Sequence, residues 1–265
     1  MVIGIIGNGI VGSALASVYS PFYDVRIWDR VPLRTVHSRQ NVLQADLIFV
    51  CLPTPQSTEG LTCDLTEYHT FLSSLSGESI HRNYVFRSTF PIGTTRLLMQ
   101  QYNLTSVVHS PEFLTERVAR IEAHTPARHI IGHVVIPNMS TAAQYLTILY
   151  RERFPDVPII NMRSDESEAV KLFVNAFFAT KITLFNEMKE LSDTLDLDWE
   201  DVVRGILSDG RIAHSHTMVP GPDGRIGFGG KCLPKDLAML VGQSGTDSLL
   251  RKVMLDNIRR RGSDG

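Results

Sequence analysis

The chain has 265 residues, 43% of them hydrophobic and 20% charged, with 26 Lys and Arg against 28 Asp and Glu for a formal net charge of −2. That composition belongs to a globular protein of one large or two modest domains; it argues against a general nucleic-acid binder, and no apolar run reaches membrane-spanning length. Three cysteines, Cys51, Cys63 and Cys232, at unrelated spacings give neither a disulfide framework nor a zinc pattern, and with no basic leader before the first strand a cytoplasmic protein is expected.

Val2-Ile3-Gly4-Ile5-Ile6 reads as a strand buried on both faces, followed by Gly7-Asn8-Gly9-Ile10-Val11-Gly12 and an alanine-rich helix from Ser13 to Tyr19. A second strand, Asp24 to Trp28, ends in Asp29. Strand, glycine turn, helix, strand and acid make a dinucleotide-binding unit. Gly7 makes the turn, Gly9 admits the pyrophosphate, Gly12 lets the helix pack, and Asp29 accepts the ribose hydroxyls. Asp29 favours NAD over NADP, although Arg30 beside it leaves the other choice open.

Further strands are expected at Asp46 to Leu52, Tyr84 to Arg87, Ser106 to His109, Ile130 to Ile136 and Val157 to Ile160, with helices at Asp64 to Leu75 and Ser140 to Phe154. This alternation predicts a parallel, doubly wound sheet whose ligands lie at the carboxyl ends of the strands. Three of those ends carry Cys51-Leu52-Pro53-Thr54-Pro55, Ser88-Thr89-Phe90-Pro91-Ile92-Gly93-Thr94-Thr95 and Ser110-Pro111-Glu112-Phe113-Leu114-Thr115-Glu116. Ser164-Asp165-Glu166 then opens a long helix whose spacing runs from Glu168 to Leu191, with Lys171 and Asn175 on one face. Helices follow at Asp198 to Leu207 and from about Asp247 to Arg261, where Arg259-Arg260-Arg261 reads as a solvated helix tip.

Between the last two helices lies Gly227-Phe228-Gly229-Gly230-Lys231-Cys232-Leu233-Pro234-Lys235-Asp236. Lysines flanking a cysteine favour its thiolate, the nucleophilic form; the alternative is a small buried hydrophobe in a glycine turn. His214 and His216 lack a third ligand at matching spacing, so no metal is expected.

These segments together resemble the nucleotide-sugar dehydrogenases of the UDP-glucose / GDP-mannose 6-dehydrogenase family. The matches run in order: Gly7 to Gly12, Leu52-Pro53-Thr54-Pro55, Ser88-Thr89 with Pro91 and Gly93-Thr94-Thr95, Pro111-Glu112-Phe113-Leu114 with Glu116, Lys171-Leu172-Phe173 with Asn175, Phe185-Asn186-Glu187, Arg211-Ile212, and Gly227 to Asp236. The resemblance implies a Rossmann-type NAD domain over 1–163 and an all-helical dimerisation domain over 164–265 that carries the cysteine loop. It also implies a four-electron oxidation of a primary alcohol to a carboxylate through a Cys232 thiohemiacetal and thioester. Lys171 and Asn175 would stabilise the oxyanion, Asp236 with Thr89 would move protons, and Glu116 would orient the hydrolytic water. NAD would also meet Pro53, Thr54, Thr89, Glu116 and Lys235. Glu112, Phe113, Leu114, Lys171, Asn175, Phe228 and Gly229 would border the sugar nucleotide, and Arg211 would reach the substrate of a neighbouring subunit in a homodimer paired through the long helix.

The chain also departs from the pattern. The sequence stops near Arg261, where family members usually continue into a further α/β unit that completes the nucleotide pocket; it is short between Asp29 and Asp46, has Arg117 where the family has glycine, and carries an extra segment at Pro222 to Ile226. Two other readings therefore stand beside the first. One is a two-electron dehydrogenase of the related hydroxyacid group, which uses a helix lysine and asparagine but no nucleophilic cysteine. The other is a truncated relative that binds NAD with little or no catalysis.

Overall fold

A computed structural model describes residues 1–58, 60–134 and 140–262. Among the described residues, β1 (Val2–Ile6), β2 (Asp24–Trp28), β3 (Leu47–Val50), β4 (Asn83–Phe86), β5 (Ser106–His109), β6 (His129–His133) and β7 (Ile159–Arg163) form one sheet in the order β2-β1-β3-β4-β5-β6-β7. Between them run α1 (Ile10–Tyr19), α2 (Arg39–Leu43), α3 (Thr66–Ser73), α4 (Thr94–Gln101), α5 (Ala119–His124) and α6 (Thr141–Arg153). After the sheet come α7 (Ser164–Thr194), α8 (Trp199–Leu207), α9 (Leu233–Gln243) and α10 (Leu249–Arg261).

The chain divides into two compact units, Met1–Pro55 with Cys63–Lys171, and Gln56–Thr62 with Leu172–Gly265. In the first, alternate residues of each strand feed two cores. Ile3, Ile5, Phe49 and Val85 pack with Leu146 and Tyr150 of α6, whereas Ile6, Ile48, Val50 and Phe86 pack with Tyr68 and Phe71 of α3. Both faces are covered, which is why β1 and β3 read as unbroken apolar runs. β1 pairs in parallel with β2 on one side and β3 on the other, so the strand order reverses at β1 and opens a crevice at the carboxyl ends of β1 and β3.

The sheet is parallel except between β5 and β6, which pair antiparallel. That one antiparallel step is a local departure within the parallel, doubly wound sheet expected, and the helix on its connection, α5, has only six residues. The expected strand from Ile130 ends at His133, and positions 135 and 136 lie outside the described residues. α7 starts at Ser164, where the Ser164-Asp165-Glu166 start signal puts it. The sequence reading also missed α9, although Pro234 in its first turn and Asp236 just after are start signals. No helix among the described residues is long and apolar enough to cross a membrane.

Gly7 has φ +92°, and a Cβ on Gly12 would lie 1.9 Å from the Gly7 carbonyl oxygen, so both glycines are fixed by the chain's own packing. A Cβ on Gly9 would meet nothing within 4 Å. The two positions should therefore separate in experiment. Gly12→Ala is expected to cost about 2 kcal/mol in urea unfolding through overpacking. Gly9→Ala is expected to leave the unfolding midpoint in place and weaken NAD binding in a calorimetric titration.

Candidate active site

The cofactor edge begins with Asp29 at the end of β2. Its Oδ2 accepts the Asn8 amide at 2.6 Å and its Oδ1 the Val31 amide at 2.8 Å, so the acid ties the glycine turn to the chain leaving β2. Each oxygen keeps a second lone pair for a hydroxyl. Asn8 donates its side-chain amide to the Arg34 carbonyl at 2.8 Å, and Arg30 is paired with Glu67. Ile10 and Val11 open α1, whose free amide end with open space at Gly9 fits a pyrophosphate. Pro53 and Thr54 leave β3, and the Thr54 hydroxyl donates to the Thr89 carbonyl at 2.9 Å, joining two of the loops on the carboxyl edge.

Past β5, Glu112 and Lys171 form a buried ion pair at 3.0 Å, with side chains 13% and 6% exposed. Lys171 does not reach bulk solvent, as a lysine on an apolar helix face usually would. It lies 5.4 Å from the centroid of the Phe113 ring, against which Arg128 also packs at 4.3 Å. Glu112 accepts the Leu114 amide at 2.6 Å. Burial opposes its ionisation, but Lys171, the Leu114 amide and Arg87 outweigh burial and hold the carboxyl below its ordinary value. Glu116 opens a short 3-10 turn and is exposed.

Two buried groups brace this edge. Glu168, one turn before Lys171 on α7, accepts the Gly93 amide at 2.5 Å, the Thr95 amide at 2.7 Å and the Thr95 hydroxyl at 2.6 Å, capping α4 from outside. Burial pushes it up to about 7 against those bonds. His109 lies between Ser167 Oγ, 2.7 Å from Nδ1, and the Ser88 carbonyl, 3.1 Å from Nε2, an arrangement that suits the neutral Nε2–H tautomer. Burial pushes its pKa down to about 3; the Ser88 carbonyl opposes this and the charges of Arg87 and Lys171 add to it. Burial likewise lowers His129, stacked on Tyr150 at 3.7 Å, to about 4.

Both histidines stay neutral in the fold and take up a proton on unfolding below pH 6.5, so their stabilisation is complete above 6.5 and lost as pH falls towards 4 and 3. Glu168 acts in the opposite sense between its ordinary value of 4.5 and about 7, where the native state holds the extra proton. The contribution of His109 is isolated by comparing wild type with His109→Gln. The difference in unfolding free energy between pH 6.5 and 5 should shrink by about 1.4 kcal/mol per pH unit.

The second unit holds the cysteine loop. Cys232 is exposed and occupies the N-cap of α9 without a side-chain capping bond. The positive end of the helix favours an anion there. One turn on, Asp236 is 1% exposed and fully engaged: Oδ2 accepts the Asn175 amide at 2.5 Å and Oδ1 the Lys235 ammonium at 2.6 Å. Lys235, expected at the cofactor, is thus the counter-charge of Asp236. Arg211 is 90% exposed and pairs with Asp209 of its own loop. The Phe228 ring is buried and a Cβ on Gly229 would lie 2.2 Å from Arg261, so neither the ring nor that face of Gly229 is open to a ligand. His216 stacks on Phe178 at 4.0 Å.

The C-terminal arginines are not a solvated tip. Arg260 and Arg261 have side chains 1% and 5% exposed and pair with Asp256 and Glu190, and with Asp223; Arg259 alone of the three lies out at 64%. Their carboxylate partners on other segments are far away in sequence, which hid the pairing. Glu168 and Arg261 are buried polar residues that sequence reasoning did not single out for these roles.

Residues 30–153 match the NAD binding domain, and residues 165–259 the central domain, of the UDP-glucose/GDP-mannose dehydrogenase family. The chain belongs to this family. Its NAD-binding domain makes NAD the cofactor, and the open Gly9 turn and the acid ending β2 fit that group. Among family members, a UDP-glucose 6-dehydrogenase from Campylobacter jejuni is 29% identical over 232 residues, covering 85% of this chain and 57% of its own. The structure of a UDP-glucose dehydrogenase from Pyrobaculum islandicum superposes with TM-score 0.80 at 24% identity, over 97% of this chain and 67% of that one. Beside the family, a 3-hydroxyisobutyrate dehydrogenase from Mycobacterium tuberculosis shares the fold with TM-score 0.72 at 18% identity, over 99% of this chain and 94% of that one. The chain spans about half the length of the curated family members it matches.

Proposed function

We propose that the protein oxidises a primary alcohol of a nucleotide sugar, of the UDP-glucose kind, to the carboxylate, with Cys232 holding the intermediate aldehyde. The observation that carries this reading is the placement of Cys232: an exposed thiol at a helix N-terminus, one turn before a buried carboxylate bonded to Asn175. A free cysteine with a purely structural role is usually buried.

NAD would be held by Gly7 to Gly12, Asp29, Pro53 and Thr54, and would supply the hydride acceptor for each of two oxidations. The chain's own residues do the rest. Asp236, with Thr89, takes the alcohol proton as the first hydride leaves, and Lys171 and Asn175 stabilise the negative oxygen. The Cys232 sulfur then adds to the aldehyde carbon while the carbonyl oxygen gains a proton, giving a thiohemiacetal. Loss of a second hydride and the hydroxyl proton leaves a thioester. Water oriented by Glu116 adds to the thioester, the carbon–sulfur bond breaks, and carboxylate and thiol are released. Charge complementarity supports Lys171 as the oxyanion group.

A second reading keeps the Lys171 and Asn175 chemistry and stops at one hydride; the near full-length likeness in fold to a hydroxyacid dehydrogenase supports it. Counting NADH per substrate consumed over UDP-, GDP- and dTDP-sugars decides between them. Two per substrate is expected, and one would sink the covalent mechanism. No turnover with NAD still bound would favour a binding-only relative.

The same reading makes the protein a cytoplasmic homodimer. Phe173, Phe177, Leu184 and Leu191 are between 47% and 64% exposed and follow one face of α7, an apolar stripe suited to a second copy. Phe177→Asp should convert a dimer to a monomer in sedimentation; a monomeric wild type would rule the seam out.

A further inference from the structure

The glycine loop before Cys232 is held by side chains. All four main-chain polar groups of Gly227 and Phe228 are bonded to them. The Gly227 amide donates to Asn186 Oδ1 at 2.9 Å and its carbonyl accepts Arg261 Nη2 at 2.9 Å. The Phe228 amide donates to Asn257 Oδ1 at 2.7 Å and its carbonyl accepts Asn257 Nδ2 at 2.9 Å. Asn186 and Asn257 are each 2% exposed, and Arg261 is 8% exposed. The Asn257 amide copies the donor and acceptor of a peptide group, so its paired bonds fix Phe228 in both position and rotation.

The glycines answer to the same side chains. A Cβ on Gly227 would lie 2.6 Å from Asn257 Oδ1. With Gly229 closed off by Arg261, the usual reading of a glycine loop, close approach of a ligand, does not apply at these two positions. Arg261 in turn needs a counter-charge. Its Nη1 and Nη2 meet the Asp223 carboxylate at 2.7 and 3.2 Å, and Asp223 belongs to the extra segment Pro222 to Ile226.

Buried polar groups of this kind are a poor way to gain stability, because well-packed apolar residues do as well or better. What they supply is a fixed main chain. Phe228 is anchored on one side of Cys232 and α9 begins on the other, leaving Gly229, Gly230 and Lys231 between. We propose that Asn257 and Arg261 are positioning residues for the Cys232 thiol, and that the Pro222–Ile226 segment completes this brace by supplying Asp223. This rests on the proposed role of Cys232.

The test uses the full chain and two variants. Asn257→Ala removes the paired bonds, and Asp223→Ala, at a residue whose side chain is 47% exposed, loosens Arg261 without emptying the interior. A misplaced thiol fails to capture the aldehyde, so free aldehyde should appear and NADH per substrate should fall from two towards one. Acid formation should drop about 100-fold in Asn257→Ala and about tenfold in Asp223→Ala. Alkylation of Cys232 by iodoacetamide should stay within about twofold, since the thiol itself is unchanged. A merely structural role would lower both hydride transfers together and keep the ratio at two. If Asn257→Ala does not fold, Asp223→Ala carries the test; a ratio of two at wild-type turnover in the folded variants overturns the proposal. If wild type itself never reaches two, the reading of Cys232 has failed, and amide exchange decides the brace. At residues 227 and 228 exchange should be at least about tenfold faster in the variants, and equal rates overturn it.

Discussion

Cys232→Ser is expected to give a protein about as stable as wild type that makes acid at least about a thousandfold more slowly. The stability half follows from the fold. Cys232 stands at the N-cap of α9 and makes no capping bond there. Serine is nearly isosteric with cysteine, and at φ −100° and ψ −60° the residue is outside the extended conformation in which a hydroxyl caps a helix, so the exchange should move stability by less than about 0.5 kcal/mol. The activity half follows from the chemistry. A serine hydroxyl beside an aldehyde is nearly un-ionised at neutral pH and adds far less readily than a thiolate. The first hydride transfer does not use sulfur, so it should survive, and the variant should release aldehyde with one NADH per substrate. Measured together, an unchanged unfolding midpoint and lost acid formation would mark a residue that serves the chemistry and is dispensable to the fold. Acid formation at the wild-type rate would remove Cys232 from the reaction.

The dinucleotide unit was legible because its signals are local: an apolar run, glycines at set spacing, and an acid at the end of the next strand, all within the first 29 residues. Cys232, Lys171, Asn175 and Asp236 were singled out as candidates through the strings around them. What escaped was set by contacts across the chain. Asn257 lies 29 residues and Asn186 41 residues from the loop they hold, and on their own helices they read as ordinary polar positions. Glu168 caps α4 from more than 70 residues away. The three arginines ending α10 looked like surface because their carboxylate partners, Asp223 and Glu190, are on other segments. The antiparallel β6 escaped for a different reason: periodicity identifies a strand, and its direction depends on how far the connection before it can travel.

Lys171→Met should lower turnover about 100- to 1,000-fold, the loss typical of one oxyanion donor, while also destabilising the fold. The two effects have different origins and can be separated. Methionine keeps the length and the apolar stem of Lys171 but leaves Glu112 buried without its partner, and breaking a buried pair from one side costs about 3 to 5 kcal/mol. In wild type the Glu112 carboxyl is held below its ordinary value, so the stability it gives is complete above that value and lost as pH falls through the folded one. With Lys171 gone, burial is opposed by the Leu114 amide and Arg87 alone, so the carboxyl moves up from its wild-type position and the variant has less carboxylate stabilisation to lose as pH falls. The gap between the two proteins should therefore narrow from pH 8 to pH 5. Adding Glu112→Gln to Lys171→Met removes the orphaned charge and should bring unfolding back to within about 1 kcal/mol of wild type at pH 7. Turnover should not return, because the positive group facing the developing alkoxide is still missing. If the double variant regains activity along with stability, Lys171 serves the fold alone, and the oxyanion must be stabilised by Asn175 or by a group not yet identified.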